Sequence, residues 1–233
     1  MLTPLTQRVI DAYGGEARWR EAKAVECRLS AHGWAFRMKL RRAMTRVQMR
    51  ASTGEARLEM IDWPKPGRTG VLDGASQVRI EADGQVMASR DEPRSYFPGG
   101  RRRFRWDDLD FLYFAGYAAW NYVTFPALLL RDDIEWRDVS ETTIEGKFPA
   151  SVPTHSPVQQ FHIDPESGLL RQHDYTAEVF GDWAHAANVA LEHGVSGGIP
   201  FPSRRKVTPR KHTGTPRPFP LLVGIEISDW RLV

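Results

Sequence analysis

Apolar and polar residues alternate along much of this chain, and a period of two is the pattern of strands with one buried face. Val25, Cys27 and Leu29 alternate with polar neighbours, and the run from Phe36 to Leu40 repeats the pattern. Further apolar runs lie at 44–49, 56–63, 71–74, 77–80 and 86–88. The last two flank Asp83-Gly84, a dipeptide typical of hairpin turns. These runs predict a meander of about six strands at the start of the chain.

A second set of strands is predicted between residues 159 and 211. Two alternating runs, Gln160–Asp164 and Leu169–Tyr175, flank a turn at Pro165–Gly168 and indicate a β-hairpin. Two further runs, Asn188–Val195 and Ile199–Val207, follow on either side of a Gly-Gly pair. Single strands are also predicted at 134–144 and 221–227.

Two segments have helical periodicity instead. Residues 1–22 predict an N-terminal helical segment, with Thr3 as the N-cap and Pro4 as the first helical residue. Residues 106–130 predict a helical insertion that a proline divides into two pieces. The first piece, 106–122, is apolar on nearly every side, so we expect a buried helix.

These elements together predict an α+β fold that is mostly β. We expect residues 1–233 to form a single domain, built on one curved antiparallel sheet of about ten strands. The sheet would be an open or half barrel wrapped around the central aromatic helix. A chain of this length buries roughly 70% of its unfolded surface, which suffices for a core without disulfides or metals.

Composition narrows the class of protein. The net charge of +3 is too small to indicate nucleic-acid binding. Cys27 is the single cysteine, which excludes an intrachain disulfide and a cysteine-based metal site. The longest apolar region, 111–130, contains Asn121 and Pro126 and is too interrupted for a membrane span. The chain does not open with a signal-peptide pattern, so we expect a cytoplasmic protein.

Two basic runs, Arg101–Arg103 and Arg204–Lys206, allow two interpretations. Neighbouring residues on a strand face opposite sides of the sheet, which favours solvated surfaces over a dense phosphate-binding patch. Contact with anionic lipid head groups or with an acidic ligand is the alternative.

The order of motifs resembles a known superfamily. A helix ending in Tyr-Gly-Gly (13–15) precedes a strand meander and a helical insertion, and Asp-Pro-Glu-Ser-Gly (164–168) and Gly-Gly-Ile-Pro-Phe-Pro-Ser-Arg-Arg (197–205) follow. This arrangement resembles the half-barrel proteins of lipoprotein-carrier type, the LolA/LolB-like superfamily. The resemblance implies an unclosed barrel around a helix, with an apolar cavity that holds acyl chains. We do not extend the resemblance to lipoprotein transport. The carriers are exported, whereas this chain shows no signal-peptide pattern, and the lipid-anchored members carry an N-terminal cysteine, whereas Cys27 lies inside a predicted strand.

The expected binding site is an apolar cavity between the sheet and the aromatic helix, suited to a hydrophobic small molecule or a lipid. Eight tryptophans are many for this length, and aromatic side chains often form the walls of cavities. The competing explanation is that they are simply core. The candidate ligand-binding residues are Trp106, Tyr113, Tyr117, Trp120 and Phe161.

Three polar residues, His173, Tyr175 and His193, are directed by strand alternation towards the same apolar interior. A partly buried histidine can transfer protons near neutral pH, and a tyrosine can stabilise an oxyanion. The three are therefore candidate catalytic residues of a cofactor-independent isomerase, cyclase or lyase acting on such a ligand. Ordinary core hydrogen bonds would explain them equally well. A structural or interaction module is the third alternative for the whole chain.

No cofactor and no metal are expected. His162 and Asp164 share one strand face and would supply two metal ligands, whereas a site needs three or four. The sequence contains no phosphate-loop or dinucleotide-binding motif. The carboxylates of Asp174, Glu178 and Glu192 are expected on the opposite, solvated face of the sheet.

Overall fold

The computed structural model describes residues 2–233 and shows five α-helices, two short 3-10 helices and thirteen strands in that range. The α-helices are α1 Pro4–Ala12, α2 Glu16–Glu21, α3 Trp34–Arg37, α4 Asp108–Val123 and α5 Phe125–Leu128. The strands of the first half are β1 Ala24–His32, β2 Met44–Ser52, β3 Arg57–Ile61, β4 Thr69–Asp73, β5 Gln77–Ala82 and β6 Gln85–Asp91. Those of the second half are β7 Glu135–Ser140, β8 Thr143–Lys147, β9 Val158–Ile163, β10 Leu170–Thr176, β11 His185–Ser196, β12 Ile199–Pro209 and β13 Val223–Leu232.

All thirteen strands form one antiparallel sheet in the order β6-β5-β4-β3-β2-β1-β13-β12-β11-β10-β9-β8-β7. This order consists of two meanders, β1–β6 and β7–β13, joined where β1 pairs with β13. In that pair, Val25 lies opposite Leu232 and His32 lies opposite Gly224. Because β6 and β7 remain at the edges, the sheet is not closed. The mostly β fold with an open antiparallel sheet is confirmed, but the strand number of about ten was too low.

The alternating run 36–40 is not a strand: it belongs to α3 and the turn that follows. Gly33 precedes it and passes so close to the backbone of Leu222 that a side chain would not fit there. The N–H of Trp34 then donates to the carbonyl of Leu221 at 3.2 Å. These contacts with a segment far away in sequence determine the local conformation, and alternation within the run does not reveal them.

The run 134–144, expected as one strand, contains a hairpin of β7 and β8. Its turn has neither glycine nor proline, so the usual sequence signal is missing. The Ser140 hydroxyl accepts a hydrogen bond from the Thr142 N–H at 3.3 Å and stabilises the turn. This hairpin accounts for part of the difference in strand number.

Helix α4 begins in a network of charges. Asp107 accepts a hydrogen bond from the Asp110 N–H at 2.8 Å, and Asp110 accepts one from the Asp107 N–H at 3.2 Å, which is a capping box. Asp110 is fully buried, and nitrogens of Arg90 and Arg102 each lie 2.6 Å from its Oδ1. The basic run at 101–103 is therefore only partly a solvated surface, because Arg102 neutralises a buried carboxylate.

Helix α4 is buried on nearly every side, with 14 of its 16 residues in the core. It packs against β3, β4 and β5 on the concave face of the first meander. Two glycines permit the close approach. A Cβ on Gly70 would lie 2.8 Å from the Trp63 ring and 2.9 Å from Leu112 Cδ1, and one on Gly116 would lie 3.3 Å from Leu72.

We predict that Gly70→Ala lowers the free energy of unfolding by about 1–3 kcal/mol, because the added methyl overpacks the contact between β4 and α4. Urea unfolding measures the effect. The matched control is Gly54→Ala, whose Cβ would meet nothing within 4 Å and whose effect should stay below about 0.5 kcal/mol. Equal stabilities of the two variants would contradict the packing argument.

Candidate functional site

A cavity of about 460 Å³ lies between α4 and the middle of the sheet. Ala115, Ala118 and Ala119 form the helical side, and their spacing of three and four residues places them on one face of α4. The sheet contributes apolar side chains from its central strands. These are Leu29, Ala31, Met44, Ala186, Val207, Val223 and Ile225. The alanines on the helix, together with Ala31 and Ala186 on the sheet, leave space that larger side chains would fill in a packed core.

The mouth of the cavity combines exposed aromatic side chains with positive charge. Trp183 and Phe219 both line the cavity and are 70% and 71% exposed. Arg210 and Arg217 line it beside them, and Arg217 is exposed. Residues 210–222, which connect β12 to β13, supply most of this rim.

One wall of the cavity is polar and consists of Tyr122, His155 and Tyr175. The Tyr122 hydroxyl lies 2.7 Å from His155 Nε2 and 2.8 Å from the Tyr175 hydroxyl. The Tyr117 hydroxyl lies 3.2 Å from His155 Nδ1, so both ring nitrogens of His155 contact tyrosines. The His155 ring also stacks on Tyr175, with 3.8 Å between centroids. A hydrogen-bonded chain of three tyrosines and a histidine therefore meets the apolar cavity.

His155 comes from the proline-rich connection between β8 and β9, which is held firmly in place. Arg94 donates to the carbonyls of Thr154 and His155 at 3.1 and 3.2 Å, and it pairs with Glu178. The sequence pattern does not indicate His155, because an irregular connection has no periodicity that assigns a side chain to the interior.

The groups of the polar wall are neutral. Burial, followed by the charges of Arg94 and Arg205, lowers the pKa of His155 well below its usual 6.5. Burial and the neighbouring Tyr122 raise the pKa of Tyr175 well above its usual 10. These groups can therefore donate or accept hydrogen bonds at neutral pH without carrying charge.

The structure brings together two of the three candidate catalytic residues. Tyr175 lines the cavity, and His173 lies behind it, with 4.9 Å between ring centroids. His173 is buried, stacks on Phe161 at 4.2 Å, and its Nε2 lies 2.7 Å from the Gln159 side-chain oxygen. His193 lies further along β11, and within residues 2–233 it makes no hydrogen bond or ring contact with the other two.

The candidate ligand-binding aromatics occupy the core around the cavity and are not among the residues that line it. Trp106 donates from Nε1 to the Arg102 carbonyl at 3.0 Å, and Trp120 donates to the Ser52 carbonyl at 2.8 Å. Tyr117 reaches the site indirectly, through His155. Tyr113 packs on Tyr117, and Phe161 packs on Phe125, both with 5.1 Å between ring centroids. The contribution of α4 to the lining comes instead from its alanine face, with Phe114 and Tyr122.

Asp174, expected in solvent, is buried instead. It accepts a hydrogen bond from Gln172 Nε2 at 2.8 Å and lies 3.0 Å from His162 Nε2. The pairing of β9 with β10 is irregular between Leu170 and Gln172, and Arg171 there is exposed. Asp174 nevertheless keeps the face opposite His173 and Tyr175, as alternation requires. The connection from β12 to β13 covers that face, since Gln172 Nε2 also donates to the Gly214 carbonyl at 3.0 Å and Arg210 lies 3.6 Å from Asp174. Among the residues described, no group of three or more His, Cys, Asp or Glu is arranged to hold a metal ion.

Comparison with known proteins gives matches in structure but none in sequence. No family model and no curated protein matches the chain. A LolA superfamily protein from Nitrosomonas europaea superposes with a TM-score of 0.55 at 10% identity, over 100% of this chain and 94% of that one. A DUF1329 family protein from Desulfovibrio piger has a TM-score of 0.47 at 12% identity, over 99% and 94%. A Vibrio parahaemolyticus protein domain named for outer membrane lipoprotein sorting has a TM-score of 0.47 at 8% identity, over 98% and 90%.

The similarity to the Nitrosomonas protein confirms the LolA-like fold that the sequence motifs suggested. The cytoplasmic location expected from the sequence is wrong, because the LolA-like fold is the fold of exported carriers. Within residues 2–233, no helix has the length and apolar character that a membrane crossing requires.

We predict that acid destabilises this site. Burial lowers the pKa of both His155 and His173 well below 6.5, so both are neutral in the folded protein. The unfolded chain takes up these protons below about pH 6.5, so the free energy of unfolding decreases as the pH falls from there. Urea unfolding between pH 6.5 and 5 should show a loss of up to about 1.4 kcal/mol per pH unit for each histidine.

The control for this dependence is a pair of variants. His173→Gln retains a donor for Gln159 and should make the pH dependence shallower, because one titrating group is removed. His212→Gln, an exposed residue at the rim, should leave the dependence unchanged. Identical pH profiles for wild type and His173→Gln would contradict the assignment.

Proposed function

We propose that this protein binds a hydrophobic small molecule or a lipid in the cavity between α4 and the central strands. The observation that carries the proposal is the cavity itself, an apolar space of about 460 Å³ in contact with the outside. Its volume falls in the range of roughly 300–1,000 Å³ that is usual for small-molecule sites. Protein interiors rarely leave voids larger than a water molecule, so a space of this size favours an occupant.

The chemistry of the lining supports an amphipathic ligand. The alanines of α4 and the aliphatic residues of the strands would contact an apolar body, with transfer from water as the driving force. The hydroxyls of Tyr122 and Tyr175 would contact a polar end. The LolA-like fold agrees with this proposal, because the resemblance that suggested it implies a cavity for acyl chains.

An isomerase, cyclase or lyase that acts on the bound ligand is the second candidate. Tyr175 lines the cavity and contacts His155 through Tyr122, so a proton could pass along this chain of hydrogen bonds. His173 and His193 do not line the cavity and would act at a distance. Turnover of the ligand that survives Tyr175→Phe unchanged would contradict this candidate.

Native mass spectrometry of the purified protein, followed by solvent extraction, tests the binding proposal. We expect an apolar molecule that is released on denaturation. A protein that is free of ligand and gains no thermal stability from fatty acids, alcohols or aromatic polyketides would contradict binding and favour an interaction module.

We predict that Ala118→Phe weakens binding by at least about tenfold, because the added ring occupies the cavity from the helical side. Displacement of a neutral fluorescent probe measures the affinity. The matched control is Ala88→Phe on the exposed strand β6, which adds the same ring away from the cavity. Equal affinities of the two variants would show that the ligand binds elsewhere.

A further inference from the structure

Arg205 is the one fully buried arginine in the described part of the chain, at 1% exposure. Its Nε donates to Asn188 Oδ1 at 3.0 Å, and its guanidinium lies 4.6 Å from the centre of the Tyr122 ring. No carboxylate forms an ion pair with it anywhere in residues 2–233. Buried charges are normally paired, as Asp110 is with Arg90 and Arg102, so the lack of an anion at Arg205 needs an explanation.

The surroundings of Arg205 contain several hydrogen-bond donors that have no acceptor. Nη1 and Nη2 of Arg205 are buried and have no partner among the residues described, and Nδ2 of Asn188 is buried with only the neighbouring Tyr122 hydroxyl as a possible acceptor. The bond between Nε and Oδ1 fixes the orientation of the Asn188 amide, so its NH₂ group must face elsewhere. Three buried donors on two bonded side chains form a group that is complementary to an anion.

This donor group lies beside the cavity, although Arg205 and Asn188 are not themselves among the residues that line it. Arg205 shares its face of β12 with Val207, and Asn188 shares its face of β11 with Ala186, and both of these neighbours line the cavity. Ile225, which lies opposite Arg205 on β13, lines the cavity as well. The Tyr122 ring has Arg205 beside it and also lines the cavity.

We propose that the ligand is an alkyl chain with a carboxylate head and that Arg205 and Asn188 bind this carboxylate beside the Tyr122 wall of the cavity. The inference rests on the proposed function and adds the class of ligand. The planar guanidinium matches the two carboxylate oxygens, and the Asn188 amide supplies a further donor. A single buried positive charge balances a single negative charge, whereas a phosphate monoester would bring close to two.

The mouth of the cavity favours the same class of ligand. Arg210 and Arg217 lie at the rim. Arg210 lies 3.6 Å from the buried Asp174 carboxylate, whereas Arg217 has no ion pair within residues 2–233. Cations beside an apolar opening raise the local concentration of anionic amphiphiles. The exposed rings of Trp183 and Phe219 provide the apolar surface at which an alkyl chain would first bind.

Isothermal titration at pH 8 tests the inference with two series of matched probes, the straight-chain carboxylates and the primary alcohols from ten to eighteen carbons. The wild-type protein should bind the best carboxylate at least about tenfold more tightly than the alcohol of the same length. Arg205→Met should reduce this ratio to about one and leave the affinity for the alcohol within about threefold. Arg204→Met, a change on the opposite face of β12, is the matched control and should keep the wild-type ratio.

The stability of the variants separates a binding role from a structural one. Replacing an unpaired buried charge by an apolar side chain of similar size should leave the melting temperature of the ligand-free protein unchanged or higher. Asn188→Asp provides a second variant that does not depend on this outcome. Its carboxylate would lie beside the Arg205 Nε, so it should raise the melting temperature and weaken carboxylate binding at least about tenfold. The alcohols should bind as in the wild type.

Each outcome decides between specific alternatives. If the wild type binds carboxylates and alcohols equally, or if Arg205→Met keeps the preference, the carboxylate site is wrong while the cavity proposal stands. If neither series binds, the proposed function fails as well. If dodecyl phosphate binds more tightly than dodecanoate and loses this advantage in Arg205→Met, Arg205 binds an anion but the carboxylate class is wrong.

Discussion

The pairing of β1 with β13 joins two meanders that are otherwise independent sheets, and the cavity depends on it. The Arg231 side chain crosses this pair to contact Glu26, a residue 205 positions away in sequence. The strands that line the cavity, β1 and β2 on one side and β10 to β13 on the other, lie on both sides of the junction. Neither meander alone provides that surface. Pairing β1 with β13 closes a very long loop and costs conformational entropy. Only the remaining contacts of the sheet compensate for this cost, so we expect the site to form together with the complete sheet.

Helix α4 separates the well-packed half of the molecule from the half that contains the cavity. Its side towards β4 carries Leu112 and Gly116, which fit closely against Trp63 and Leu72. Its other side carries alanines, which are too short to reach the strands of the second meander. The helix is apolar on both sides, so hydrophobic burial holds it in place while side-chain size decides where space remains.

Local signals in the sequence were enough to predict most of the sheet. The turn at 165–168 and the Asp83-Gly84 pair both lie between strands as expected, because turn residues act through the conformation of their own backbone. The hairpin at 134–144 and helix α3 were not predictable in this way, since a polar turn and contacts with distant backbone determine them. The resemblance to the LolA-like fold was inferred from the order of these elements along the chain, so the errors in single elements did not affect it.

The site was harder to predict than the fold, and Arg205 shows why. It lies in a basic run, where the average polarity suggested solvent, yet it is in phase with the buried Val207 on the same strand. Applying the alternation to each residue separately would have placed Arg205 in the interior. His155 had no such signal, because it lies in an irregular connection. Asp174 lies on its expected face, but local alternation does not reveal that the connection from β12 to β13 covers that face.

The burial of Arg205 also links binding to the protonation of its neighbours. Its charge contributes to the low pKa of both His155 and His173. A carboxylate bound at Arg205 would offset that charge, so the pKa of each histidine would rise towards its usual value. By linkage, protonation of these histidines would in turn favour the anion. Binding of the anion would not require ionisation of the polar wall. Its neutral hydroxyls can donate hydrogen bonds to the ligand, and the neighbouring Arg205 supplies the positive charge.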